Sequence, residues 1–134
     1  MKAKDLHTVW DAPDNSRLTS KQHSFRLPVH VAAKLDALCE IYPTKTRTQI
    51  VGDLLSAALD GVEQSFPPIK GKEIGPQPDT EEMLYEDIGP ASRYRKLANK
   101  HYIEMEKERG NKNPTPLYTA TYAISDSDLK ADAQ

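Results

Sequence analysis

One short alternation constrains this chain more than any other feature of it. Over Gln22-His23-Ser24-Phe25-Arg26-Leu27 polar and apolar side chains exchange places, and Pro28 stops the pattern. In a strand over 21–27, Phe25 and Leu27 would share one face and Gln22, Ser24 and Arg26 the other, because successive side chains point to opposite sides. A single strand leaves its backbone N–H and C=O groups unpaired, and such edges invite another chain. No hairpin partner follows in the sequence; two helix-period segments do. The same strand of a second copy is therefore the natural partner. A two-stranded antiparallel ribbon with one polar face has the width to enter the major groove of DNA.

The two helices carry clear start and stop signals. Pro28 suits a first helical turn, where a missing N–H is harmless. Val31, Leu35, Leu38 and Tyr42 are spaced for one face, which predicts a helix to about Tyr42, closed by Pro43. Thr46, with Gln49 three residues on, has the pattern of a capping box. Beyond it Ile50, Val51, Leu54, Leu55, Ala58, Leu59 and Val62 form a broad apolar stripe. Gly52 interrupts that stripe at a cost of roughly 1 kcal/mol relative to alanine. A close crossing by a second copy would account for it, as would a lenient surface position.

With strand, proline, helix, cap and helix in this order, residues 21–64 resemble the ribbon-helix-helix DNA-binding family, typified by the Arc and methionine repressors. The resemblance rests on Ser24-Phe25-Arg26-Leu27-Pro28 and on Lys45-Thr46-Arg47-Thr48-Gln49-Ile50-Val51, and covers about a third of the chain. It implies a mainly α fold: one short strand plus two helices, pairing in a homodimer, with an additional C-terminal helical extension. It implies base contacts from Gln22, Ser24 and Arg26. Their chemistry suits the task, since Arg can bond guanine O6 and N7 together and Gln adenine N6 and N7. It implies phosphate contacts from Lys21, Lys45, Thr46, Arg47 and Thr48, where first-turn N–H groups and the helix dipole favour an anion. The implied dimer core is Phe25, Leu27, Leu35, Leu38, Ile50, Leu54, Leu55 and Leu59. Simpler readings stand beside these: a solvated polar strand face, and a Thr46 that only caps its helix. His23 falls on the inner face with Phe25 and is expected as a half-buried packing residue. Cys39 is expected in the core.

The flanks divide by composition. Residues 1–20 are polar and turn-rich and are expected as a flexible arm, with Val9-Trp10 able to dock. Residues 21–66 form the DNA-binding and dimerisation domain, and 67–78, with Pro67, Pro68, Gly71, Gly75, Pro76 and Pro78, a linker. A helical extension is expected over 79–110, with a short helix capped by Asp79 and Glu82 and a longer one over 91–109. Tyr94, Leu97, Ala98, Tyr102 and Met105 line one face of the longer helix. Residues 111–134 read as a polar tail with strand propensity at 117–122.

The net charge of −2 argues mildly against nucleic acid, but its distribution matters more. Residues 1–28 carry five Lys/Arg against three Asp, 65–90 two against six acids, and 91–110 six against three. In the helix over 91–109, Arg93, Arg95 and Lys96 lie near the positive end and Glu104, Glu106 and Glu108 near the negative end. That is the reverse of what the macrodipole favours. The charges therefore suit a partner or a DNA backbone, or a surface helix with compensating pairs such as Lys100–Glu104.

Cys39 is the only cysteine, so no internal disulfide or thiolate metal cluster is expected, and a reducing cytoplasm fits. No Gly-rich phosphate loop, triad spacing, carboxylate pair or metal-ligand spacing of His7, His30 and His101 is present, so neither an enzyme nor a cofactor is expected. No run approaches membrane-spanning length. The primary expectation is a homodimeric transcriptional regulator of bacterial or phage type that binds double-stranded DNA in the nucleoid. Dimers of dimers, or a protein partner through 79–110, are open. The rivals are an antitoxin whose C-terminal region binds a toxin, and a dimeric scaffold without DNA binding.

Overall fold

The computed structural model describes residues 2–11, 17–118 and 123–132. The chain divides into two compact units, residues 1–62 and 63–134. Among the described residues, no helix is long and apolar enough to cross a membrane.

The first unit is helical. A turn of 3-10 helix at Ala3–Asp5 leads into α1 (Leu6–Trp10); α2 spans Val29–Ile41 and α3 Arg47–Ser65, its last turn passing into the second unit. Pro28, at φ −55° and ψ 147°, stands before α2. The helix stops at Tyr42 because Pro43 follows, and a residue before proline is pushed out of the α region; Tyr42 sits at φ −118° and ψ 67°. Thr46 caps α3: its Oγ1 accepts the Gln49 N–H at 3.1 Å. α2 therefore begins and ends, and α3 begins, where local chemistry dictates.

Leu6, Trp10, Leu35, Ile50 and Ala57 form the buried core, with Val9, Leu38, Cys39, Tyr42, Val51 and Leu54 packed on it. Leu6, Val9 and Trp10, within the segment expected as an arm, are thus part of this core. Trp10 is only 4% exposed, its ring lies 5.0 Å from that of Tyr42, and its Nε1 donates to Asp53 Oδ2 at 2.8 Å. His7 is hydrogen-bonded to the Tyr42 hydroxyl. A small helix pair lacks enough apolar surface to bury alone, and α1 supplies the missing cover.

The second unit overturns the expectation of a mainly α chain with one strand. It holds a three-stranded antiparallel sheet in the order β1-β2-β3, with β1 at Lys70–Pro76, β2 at Met83–Asp87 and β3 at Ala123–Ser125. With α4 (Pro90–Glu108) and α5 (Asp126–Asp132), the described chain has five α-helices and three strands, a mixed architecture and not one strand plus two helices. The expected linker at 67–78 contains β1, and the short helix expected at 79–85 is a turn followed by β2. Gln77 donates its N–H to Glu82 O at 2.7 Å to close this hairpin, and Glu81 takes the left-handed conformation, φ 58°. The register pairs Glu73 with Tyr85 and Pro76 with Met83, then Tyr85 with Ile124. Of the strand expected at 117–122, residues 119–122 lie outside the described residues, and β3 begins just after them.

The segment expected as a polar tail contains β3 and α5, and α5 starts at a cap. Ser125 and Asp128 exchange bonds, Ser125 N–H to Asp128 Oδ2 at 3.0 Å and Asp128 N–H to Ser125 Oγ at 3.3 Å, which starts α5 as a capping box. On α4, Asn99 donates to and accepts from the Tyr118 backbone, and Glu63 accepts from Arg95 Nε at 2.8 Å and from the Tyr118 hydroxyl at 2.7 Å. Burial, then the Glu63 carboxylate, pushes the Tyr118 hydroxyl up to about 12.

Candidate nucleic-acid interface

Residues 21–28 belong to no strand in the single chain, and every one of them is exposed. Among the described residues, no backbone hydrogen bond joins 22–27 to another segment. The strand expected at 21–27 is therefore absent from the single chain, where no ladder partner meets it. Its alternation survives as geometry. The His23 and Phe25 rings stack on the same side, 6.5 Å apart and 11° from parallel, close to the rise of about 6.6 Å for two extended residues. His23 is exposed and not half-buried as expected. Gln22, Ser24 and Arg26, the expected base contacts, are also exposed.

The expected phosphate contacts divide. Thr46 is committed to its cap, while the N–H groups of Arg47 and Thr48 precede the first intrahelical bond of α3 and stay outside its ladder. Arg47 is not a waiting cation. Its Nη1 lies 2.6 Å from Asp36 Oδ1 across the start of α3, an exposed pair that raises its already high pKa through the hydrogen bond and charge of Asp36. Lys21 is exposed, Lys45 half-buried and Thr48 exposed.

The expected dimer core divides more sharply. Leu35, Leu38, Ile50 and Leu54 are used inside the chain, around Trp10 and Leu6. Phe25, Leu27, Leu55 and Leu59 are exposed, Phe25 by 73%, and with them Val29 by 88% and Val62. The apolar stripe of α3 is thus two stripes: Ile50, Leu54 and Ala57 face inward, while Leu55, Leu59 and Val62 recur at the same four- and three-residue steps on a face left uncovered.

Around Gly52 an added Cβ would meet nothing within 4 Å, so no backbone crosses it in the single chain. Gly52→Ala should therefore stabilise the dilute monomer by about 0.5–1 kcal/mol, the helix-propensity gain. Urea denaturation at low and high protein concentration checks this; a gain when dilute that reverses when concentrated would locate a second backbone against α3.

Among the described residues, no set of three or more His, Cys, Asp and Glu side chains could hold a metal. The groove on the sheet, lined by Lys72, Glu73, Ile74, Glu86 and Ala123, is open to solvent. No family model, characterised protein or solved structure matches this chain.

Proposed function

We propose that this chain is a DNA-binding regulator that works as a homodimer, residues 21–27 of two copies pairing antiparallel and presenting Gln22, Ser24 and Arg26 to base edges in the major groove. The observation that carries this is the coincidence of an unpaired, alternating segment with an uncovered apolar face. The segment has no ladder partner in its own chain, and its apolar members Phe25 and Leu27 stand in solvent, as do Leu55, Leu59 and Val62 of α3. Exposed apolar side chains on a strand-like segment and on a helix face suit an interface, and a second copy supplies both a ladder and a cover at once. The first turn of α3 then offers the Arg47 and Thr48 N–H groups to a phosphate. A chromosomal target places the chain in the cytoplasm, where a single thiol, Cys39, stays reduced.

The test is binding of the full chain to genomic fragments, with the selected duplex then compared against random sequence. Arg26→Ala should lose roughly 1–3 kcal/mol on the selected duplex and relax discrimination there, while random-sequence binding changes far less. Sedimentation should show a dimer at micromolar concentration that Leu59→Asp dissociates. A monomer, or equal affinity of the parent and Arg26→Ala for the selected site, would overturn the reading.

A further inference from the structure

The cations of α4 fall into two groups. Arg95 is bonded to Glu63, and Arg109 lies 3.7 Å from the buried Glu106 carboxylate. Arg93, Lys96 and Lys100 are all exposed, and among the described residues none of them forms an ion pair. They recur at i, i+3 and i+7, which sets them along one face of the helix as same-sign neighbours that repel one another. Arg93 closes the first turn after the Pro90 start, and that turn holds no acidic residue, so the positive end of the helix gains a further positive charge. The like-charge spacing and the added charge at the helix start both disfavour this arrangement. An external anion removes the conflict.

We propose that Arg93, Lys96 and Lys100 form a second DNA contact, a sequence-independent grip on consecutive phosphates of one strand. It rests on the DNA-binding reading above and extends it to the second unit. At about 1.5 Å per residue the three side chains span roughly 10 Å of helix, and their long stems extend that reach over neighbouring phosphates of one strand, which rise about 3.4 Å per nucleotide along the duplex axis. Their flexible stems bring point charges to phosphate oxygens without demanding a fixed base edge. A lipid surface is the poorer fit. An interfacial helix needs a broad free apolar face, whereas Tyr94 packs its ring 5.5 Å from Phe66, Tyr102 is half-buried, and only Leu97 and the marginally exposed Met105 stand in solvent.

The experiment measures binding of the full chain to a random-sequence duplex and to a selected duplex over a range of salt. Arg93→Gln, Lys96→Gln and Lys100→Gln are combined in one variant; glutamine retains helix propensity, and circular dichroism should be unchanged. The slope of log affinity against log salt should become shallower by about 2–3 on both duplexes, since each released phosphate contact contributes about 0.9. Preference for the selected duplex should be unaltered. Arg93→Lys with Lys96→Arg and Lys100→Arg should restore the parental slope. The charge-matched control Lys72→Gln, Lys107→Gln and Lys112→Gln should leave it in place. An unchanged slope in the first variant, with the parent binding DNA normally, overturns this contact and leaves the proposed function standing. An equal change in the control attributes the effect to net charge and also overturns it. Loss of binding to anionic vesicles with DNA binding intact assigns the face to lipid instead. A parent chain that binds neither duplex overturns both readings.

Discussion

Trp10→Ala should cost about 3–5 kcal/mol of stability in the first unit, the range for removing a buried aromatic side chain. Against a typical total of about 5–15 kcal/mol, that is enough to leave much of the chain unfolded on warming. The reason is that Trp10 lies inside the core that α2 and α3 cannot complete alone, beside Leu6 and against the Tyr42 ring, with its indole N–H satisfied by Asp53. Trp10→Phe should lose less, since it keeps an apolar ring and forfeits chiefly the hydrogen bond to the carboxylate. Because Trp10 is the only tryptophan, its emission reports unfolding of the parent directly, and the variants are compared by far-ultraviolet circular dichroism in urea. A loss below about 0.5 kcal/mol, the range for ordinary surface substitutions, would mean that residues 3–10 are a loose arm after all.

In the second unit the largest effect is expected at Asp87. It is 1% exposed at the end of β2, and its Oδ1 accepts from the Ile69 N–H at 3.0 Å and the Gly89 N–H at 2.8 Å. The carboxylate thereby ties the chain entering β1 to the residue that precedes α4. Space there is fully used, because a Cβ on Gly89 would come within 2.8 Å of Pro67 O and 2.9 Å of Asp87 Oδ1. Asp87→Ala leaves two amide groups without an acceptor, at about 1–3 kcal/mol for each that stays buried. The expected loss is thus about 2–6 kcal/mol if both stay buried, with faster hydrogen exchange at the Ile69 and Gly89 amides. Asp87→Asn keeps an oxygen in the Oδ1 position and should lose less. Exchange at those two amides that is the same in Asp87→Ala as in the parent would refute the tie.

What was legible in the sequence is what local chemistry decides. Pro28, Pro43 and the Thr46–Gln49 cap placed α2 and α3 to within a residue or two, because steric exclusion before proline and an N-cap hydrogen bond act within a few residues. The start of α4 after Gly89-Pro90 was legible for the same reason. The sheet was not legible. Lys70-Gly71-Lys72-Glu73-Ile74-Gly75-Pro76 has neither alternation nor β-branched density, and it is a strand because β2 supplies its ladder. β3, three residues long, is a strand only through its pairing with β2.

The same division explains the candidate site. Periodicity showed that α3 carries a wide apolar stripe. It was silent on how the stripe is shared, since a period gives the angle of a side chain about its own helix and nothing of what lies opposite. Tertiary packing decided that Ile50, Leu54 and Ala57 turn toward α1 and α2, leaving Leu55, Leu59 and Val62 uncovered, and that Arg47 meets Asp36. Helix ends and strand faces are set by neighbours along the chain, whereas cover, pairing and charge partners come from residues tens of positions away.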